Sequence, residues 1–176
     1  MTTDRLPSPA ITSTRYRQVL GQFVTGVTVV TAMPDDGPVG FTCQSFGALS
    51  MDPPLVLLCP GKGSTSWPKV ASTGRFAVNL LAQDQIAAAR GFAVRGSDKF
   101  AGVRWSAGGF SGAPLLSGAL GWLECEIATV HEAGDHWIVV ARILDLAAAT
   151  GRLPLTFFRG TLAGLGAPPP GPGGRS

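Results

Sequence analysis

Charge is scarce in this chain. Of its 176 residues, 14% are Asp, Glu, Lys or Arg, against roughly 25% in ordinary globular domains. So little charge leaves less polar surface to keep wet, which suits a protein that hides part of its surface in an oligomer. The net charge of +3 is spread thinly. Arg15 and Arg17, either side of Tyr16, form its densest basic spot. Nucleic-acid binding asks for a concentrated basic stripe, so nucleic acid is not expected as a partner. Cysteine is also sparse. Cys43, Cys59 and Cys125 are an odd set with no CxxC pair; this argues against a disulfide framework or a zinc site and suits a reducing cytosol. No apolar run approaches the roughly 18 residues that span a bilayer, and residues 1–10 lack the apolar core of a secretory leader. A cytoplasmic protein with no metal and no membrane contact is the expectation.

The catalytic repertoire is thin as well. There are two histidines, His131 and His136. No GxGxxG follows a strand-like run, and neither GxxxxGK[ST] nor GxSxG occurs. Carboxylates are few, and no pair suggests a glycosidase-type acid and base. A chain this poor in its own acids, bases and nucleophiles points to a cofactor that brings its own reactivity.

What is present is glycine and proline, 24 and 14 residues, about a fifth of the chain. Short elements separated by turns are therefore expected within one domain. Residues 1–13 read as a loose leader, 14–160 as the domain and 161–176 as a Pro/Gly-rich tail. Helical spacing of Tyr16, Val19, Leu20 and Phe23 predicts a helix over 14–23, capped by Thr14. Strands are predicted over 27–32, 39–46, 55–59, 75–80, 119–130, 136–146 and 154–159. The strand over 55–59, apolar on both faces, reads as central. Helices are predicted from about 64 and over 83–92, with a long irregular connection from there to Gly118. The absence of β-α-β alternation argues against a doubly wound sheet; hairpin-linked strands suggest an antiparallel barrel or sandwich.

Three places could carry chemistry. Residues 40–54 (GFTCQSFGALSMDPP) put small polar side chains at a strand end, with Gly40 and Ser45 leaving room for a close approach. Along a strand, Thr42, Gln44 and Phe46 would face one way, Cys43 and Ser45 the other. This is either an ordinary edge strand ending in a polar turn or the lining for a flat ring such as a flavin. Next, Lys62-Gly63-Ser64-Thr65-Ser66 leads into a helix start, which is either a plain cap or a seat for a phosphate. Ser97-Asp98-Lys99-Phe100 adds a cation beside an aromatic. Finally, Gly134-Asp135-His136 occupies a hairpin turn read over 131–135, where an imidazole could contact a nicotinamide or remain a turn residue.

Together these stretches resemble the short-chain flavin reductase family, the reductase components of two-component flavin-dependent monooxygenases. The resemblance rests on residues 23–31, 40–54, 76–81, 98–100, 114–125 and 134–136, in family order over about 14–160. It implies a mainly β antiparallel split barrel of Greek-key type, working as a homodimer. It implies an NAD(P)H-dependent enzyme that reduces FMN or FAD and supplies a partner monooxygenase. The flavin would be held by Thr42, Cys43, Gln44, Ser45, Phe46 and Ser50, with Cys59 and Phe100 alongside. Ser64, Thr65 and Lys99 would lie near its phosphate arm. Gly134, Asp135 and His136 would meet the nicotinamide of NADH or NADPH, with His136 as the catalytic candidate. Gln44 stands where many relatives carry a small residue, which could narrow the space beside the ring. Left open by the residues are a flavin-binding module without turnover and an oxidoreductase with tightly bound FMN and another substrate.

Overall fold

The structure is a computed structural model that describes residues 10–96 and 98–166. Most of the expected leader, most of the expected tail, and Ser97 lie outside the described residues.

The framework is a seven-stranded antiparallel sheet in the order β3-β2-β6-β9-β10-β5-β4. Its members are β2 (Thr28–Ala32), β3 (Val39–Cys43), β4 (Phe46–Met51), β5 (Pro54–Leu58), β6 (Arg75–Leu80), β9 (Gly121–Ala133) and β10 (His136–Ala148). The two outermost strands, β3 and β4, are consecutive in the chain and separated only by Gln44 and Ser45. The three Cα steps from Cys43 to Phe46 span at most about 11 Å. The sheet must therefore curl until its edges nearly meet, yet β3 and β4 do not pair. This is an antiparallel split β-barrel, as expected. The predicted single strand over 39–46 is in fact two strands meeting at this break.

The barrel interior is filled by Val30, Phe41, Val56, Leu58, Phe76, Val78, Cys125 and Val139, all buried. Strand β2 is buried along its whole length, because its outer face is also covered. There Val27, Val29, Leu81, Phe92 and Leu155 form a second core. It sits under α3 (Ile86–Ala93) and a small sheet of β1 (Thr25–Gly26), β11 (Leu155–Phe158) and β12 (Thr161–Gly164). Each fully buried Val, Leu or Phe contributes about 1.5–3 kcal/mol. α2 (Trp67–Ser72) packs Trp67 and Val70 into the barrel core.

Other elements differ from the expectations. Helix α1 spans Ser13–Leu20 with Thr12, not Thr14, as its cap, the Thr12 hydroxyl accepting from Arg15 N at 3.2 Å. None of its residues is buried, so its apolar stripe faces away from the core. Strand β5 lies next to the sheet edge, not at its centre, and its burial alternates. The hairpin of β9 and β10 is longer than predicted. His131, Glu132 and Ala133 pair with Ile138, Trp137 and His136, leaving a two-residue turn at Gly134-Asp135, with Gly134 at a φ of 61°. Within the connection read as irregular, β7 (Trp105–Ala107) and β8 (Pro114–Leu116) pair. The start of the expected tail is strand β12.

Two buried polar groups hold that connection in place. Asn79 donates through Nδ2 to Val29 O, Thr31 Oγ1 and Pro114 O, each at 3.2 Å, and its Oδ1 accepts from Leu116 N at 2.7 Å. Glu124, also buried, accepts from the backbone N–H groups of Gly109, Phe110 and Ser111 and from the Ser111 hydroxyl. Burial pushes the Glu124 carboxyl up, but these donors outweigh it and hold it below the usual carboxylate value. Gly108 must be glycine here, since a Cβ would stand 2.2 Å from Glu124 Oε1.

Candidate functional site

The split in the barrel opens onto a cavity of about 450 Å³, within the range of small-molecule sites. One wall is the end of β3 and the break, Phe41 to Ser45. A second is Cys59, Pro60 and Gly61 after β5, continuing to Ser64, Thr65 and Ser66 before α2. The third is Phe92, Ala93, Arg95 and Lys99 at the end of α3 and beyond, and His136 stands at the rim.

Of the residues singled out in the sequence, Thr42, Cys43, Gln44, Ser45, Cys59, Ser64, Thr65, Lys99 and His136 line this one cavity. Phe46, Ser50, Phe100, Gly134 and Asp135 do not. Phe46 faces a neighbouring groove. Ser50 lies further along β4, opposite Leu55. Phe100 packs edge-on against Phe92 and Trp105 at the second core. Gly134 and Asp135 form the exposed turn behind His136. Ser66, the last residue of the expected phosphate seat, lines it too, and Arg95, Phe92 and the Pro60-Gly61 pair do so without having been singled out. Gly40 leaves no room for a ligand: its Cα faces the Phe92 ring and Val30 O, which an added Cβ would meet at 2.9 and 2.8 Å.

Many of the polar side chains in the cavity are already committed to the protein. The Thr42 hydroxyl donates to Ala89 O at 2.6 Å. Ser45 Oγ donates to Cys59 O at 2.9 Å and accepts from Cys59 N at 3.2 Å, fastening the break to the end of β5. The Cys43 sulfur sits 3.4 Å from the same hydroxyl, and burial pushes its thiol above the ordinary cysteine value, so it is not a ready nucleophile. Ser64 Oγ accepts from Trp67 N.

Lys99 is a strut as well as a charge. Its ammonium donates to Gly40 O (3.0 Å), Phe92 O (3.1 Å) and Ser66 Oγ (3.2 Å), tying β3, α3 and the loop before α2 together. Burial lowers its pKa from the usual lysine value. Among the described residues no carboxylate pairs with it, nor with Arg95, whose guanidinium donates to Gly63 O at 2.6 Å. The cavity thus has two cations and no lining acid. The predicted helix-start seat is weaker than these cations: α2 has six residues, Pro68 brings no N–H, and Trp67 N is taken by Ser64. Among the described residues, the backbone N–H groups of Gln44, Ser45, Thr65 and Ser66 donate to no other backbone group.

At the rim, His136 Nδ1 lies 2.7 Å from Asp135 Oδ1. That hydrogen bond, with the attraction of the ring, holds the Asp135 carboxyl below its usual value. Lys62 N donates to Asp135 O and Trp137 N to Pro60 O, so the hairpin tip is pinned to the 60–63 loop. Nε2 then stands on the Gly61 side of the ring, 3.6 Å from where a Cβ on Gly61 would be.

Two further cavities meet this one. A cleft of about 970 Å³ between α1 and β11 is lined by Tyr16, Arg17, Phe23, Phe157 and Arg159, and shares Gln44 and Ser45 with it. A groove of about 430 Å³ includes Thr25, Gln44 and Phe46.

A family model described as "Flavin reductase like domain" matches residues 20–166. The chain is 46% identical over 156 residues to the "Flavin-dependent monooxygenase, reductase subunit HsaB" of Rhodococcus jostii, covering 89% of this chain and 80% of that protein. It is 40% identical over 148 residues to the "FMN reductase (NADH) SmoA" of Agrobacterium fabrum, covering 84% and 83%. Among solved structures, the Streptomyces globisporus NADH:FAD oxidoreductase SgcE6 "in complex with NAD and FAD fragments" superposes with a TM-score of 0.83 at 38% identity, covering 88% of this chain and 93% of that one.

Proposed function

The chain belongs to the flavin reductase-like domain family, and we propose that it is an NAD(P)H:flavin oxidoreductase that reduces FMN or FAD and supplies the reduced flavin to a partner monooxygenase. The observation that carries this reading is the polarity of the cavity at the barrel split. One end gathers Arg95, Lys99, the Thr65 hydroxyl and unbonded N–H groups, a setting for a phosphate. The other end, at Gln44 and Ser45, offers neutral donors and acceptors beside apolar walls, a setting for a heteroaromatic ring.

A bound flavin supplies the hydride acceptor that the polypeptide lacks. The chain's own residues bind and orient. Arg95 and Lys99 neutralise the phosphate charge, and Thr65 adds a hydroxyl donor. Asp135 holds the His136 ring so that its other nitrogen is presented on the cavity side, where it can take the amide of a nicotinamide donor. No nucleophile and general base stand paired among the lining residues, as hydride transfer between two bound molecules allows. The cavity is open at its rim, which suits release of reduced flavin.

A homodimer belongs to this reading. Tyr16, Val19, Leu20 and Phe23 are each more than half exposed on and just after α1, and Leu49 and Met51 are exposed on the unpaired edge of β4. A second copy that covers these surfaces would bury a large apolar area and cap an open sheet edge. Three unpaired thiols support a reducing, cytoplasmic setting, and no helix among the described residues is long and apolar enough to cross a membrane.

The test is steady-state oxidation of NADH and NADPH with and without added riboflavin, FMN or FAD. Oxidation that depends on added flavin is expected. Failure of every flavin to support oxidation, together with no flavin binding by fluorescence titration, would overturn the proposal.

A further inference from the structure

We infer that Cys43 and Cys59 are a redox-responsive thiol pair, which closes to a disulfide across the barrel split when hydrogen peroxide reaches the cavity and so shuts that end of it to a ligand. The pairing itself needs only the two thiols and the space they share. That the excluded ligand is a flavin, and the peroxide a by-product of flavin reduction, rests on the reading above.

The fold sorts the three free cysteines two against one. Cys43 ends β3 and Cys59 follows β5; both line the cavity. A single hydroxyl joins them. Ser45 Oγ lies 3.4 Å from Cys43 Sγ, donates to Cys59 O at 2.9 Å and accepts from Cys59 N at 3.2 Å. Burial, and in smaller part the charge of a Cys59 thiolate, push the Cys43 thiol up, as a neighbouring sulfur would. Cys125 is set apart. It is wholly buried in the barrel core, does not line this cavity, and has a thiol pushed up to about 12 by burial and by the Glu124 charge. It is the built-in control for the other two.

Thiolate character and exposure decide which sulfur oxidises first. Cys43 is buried and Cys59 only partly so, so peroxide meets Cys59 first. The Cys59 sulfur attacks the O–O bond and becomes a sulfenic acid, and one water leaves. The Cys43 sulfur then displaces the sulfenic hydroxyl, which departs with the Cys43 proton as a second water. Two thiols lose two hydrogens and two electrons, and the peroxide is reduced to two waters. A disulfide holds its Cα atoms within about 7 Å, so the bond draws the end of β3 against the end of β5 and displaces the Ser45 latch between them. The oxidant has a local source. Reduced flavin that meets dioxygen before an oxygenase gives up two electrons and two protons and forms hydrogen peroxide. Closure would thus halt flavin reduction when its product goes uncollected, and a cellular dithiol would reopen the cavity by exchange.

The experiment treats the full chain with hydrogen peroxide, unfolds it, blocks the remaining thiols with iodoacetamide and maps the cysteine peptides by mass spectrometry. Riboflavin is titrated by fluorescence before oxidation, after it, and after dithiothreitol. One linked peptide pair, Cys43 with Cys59 of the same chain, is expected, with Cys125 recovered as a blocked free thiol. Riboflavin affinity should fall by about tenfold or more on oxidation and return with dithiothreitol. In Cys59→Ser, whatever its starting affinity, peroxide should change nothing. Cys43 and Cys59 recovered unlinked, a link to Cys125 or between two chains, undiminished affinity in the oxidised wild type, or a Cys59→Ser protein that loses affinity as the wild type does, would each overturn the inference. A reduced wild type that binds no flavin overturns the flavin reading instead, and the peptide map still decides the thiol pair.

Discussion

Removing one of the two cations should separate flavins by their phosphate. Arg95 is the one to change, because Lys99 also holds three elements together and its loss would disturb the cavity itself. Arg95→Gln removes the charge together with the single bond to Gly63 O, which the guanidinium makes at 2.6 Å. The phosphate of FMN carries about −1.5 to −2 charges at neutral pH. A single charge pair about 4 Å apart is worth about 1 kcal/mol in water and about 4 kcal/mol at an effective dielectric near 20. Arg95 is exposed, so the lower end applies, roughly doubled by the second phosphate charge and trimmed by side-chain ordering. About 1–2 kcal/mol results, a loss of about five- to thirtyfold in FMN affinity. Riboflavin, which has no phosphate, should bind the variant as it binds the wild type. Raising the salt to about 1 M, where screening acts over about 3 Å, should shrink the FMN difference. Fluorescence titration with both ligands at two salt concentrations is sufficient. An equal loss for riboflavin and FMN, or no loss for either, would refute the assignment of a phosphate to this end.

Further predictions test the rim and the scaffold. His136→Ala should raise the KM for the nicotinamide donor while leaving the flavin dissociation constant largely intact; unchanged kinetics would remove His136 from the donor site. Asn79→Leu should lower stability by about 2–4 kcal/mol in denaturant unfolding, because Leu116 N–H is left buried without its acceptor and both amide N–H donors, shared among Val29 O, Thr31 Oγ1 and Pro114 O, disappear. Glu124 has a carboxyl pKa lowered in the folded protein, so its stabilisation is present above the unfolded value, near 4.3, and is lost as the pH falls through the folded value. Wild-type thermal midpoints should therefore drop more steeply below about pH 4 than those of Glu124→Gln, even though at neutral pH the variant is the weaker, its amide nitrogen facing the Gly109 N–H. Gly40→Ala should cost about 1–3 kcal/mol by overpacking against Phe92 and Val30 O, and should weaken flavin binding through the displaced Lys99 anchor, by the same unfolding and titration assays.

The parts of the fold legible in the sequence are those set by local pattern. Strand β6 occupies the predicted residues because Arg75 to Leu80 is a short, mostly apolar run that follows a glycine at positive φ, although Phe76 to Asn79 are buried continuously and do not alternate. The β9-β10 hairpin was recognisable, but His131 to Ala133 look like turn residues and are strand, because pairing across the hairpin outweighs their polarity. The break at Gln44-Ser45 was not legible: the pattern runs on through it, and only the pairing of β4 with β5 in a tight hairpin around Asp52-Pro53 divides the strand. Strands β7, β8 and β12 escaped for a similar reason, since each is too short to show a period. Nine of the singled-out side chains meet in one cavity: most stand at the ends of β3, β5 and β10, where small polar residues are conspicuous, Ser64 and Thr65 precede α2, and Lys99 follows α3. Arg95 was missed because an isolated arginine in a Gly-rich stretch carries no pattern; its distance of four residues from Lys99 was the one available signal.

The position of the cavity follows from the incomplete barrel. Had β3 and β4 paired, the backbone groups at the break would have been satisfied by one another, as in a closed barrel, and Gln44 would have been an outward or inward side chain on a continuous ladder. Instead the chain passes from one sheet edge to the other in two residues, and Ser45 fastens the seam to Cys59 in place of a strand-to-strand bond. That leaves the N–H groups of Gln44 and Ser45 unbonded to other backbone groups, on residues that line a cavity with two cations in its wall. Open edges are normally a liability. Here β3 is covered by α2 and α3, so on that side the opening is confined to the break, while the β4 edge stays exposed. The same feature that prevents closure therefore supplies the donors, the room and the polarity that a phosphorylated heteroaromatic ligand requires, with Arg95, Gln44 and His136 all lining the one space it opens.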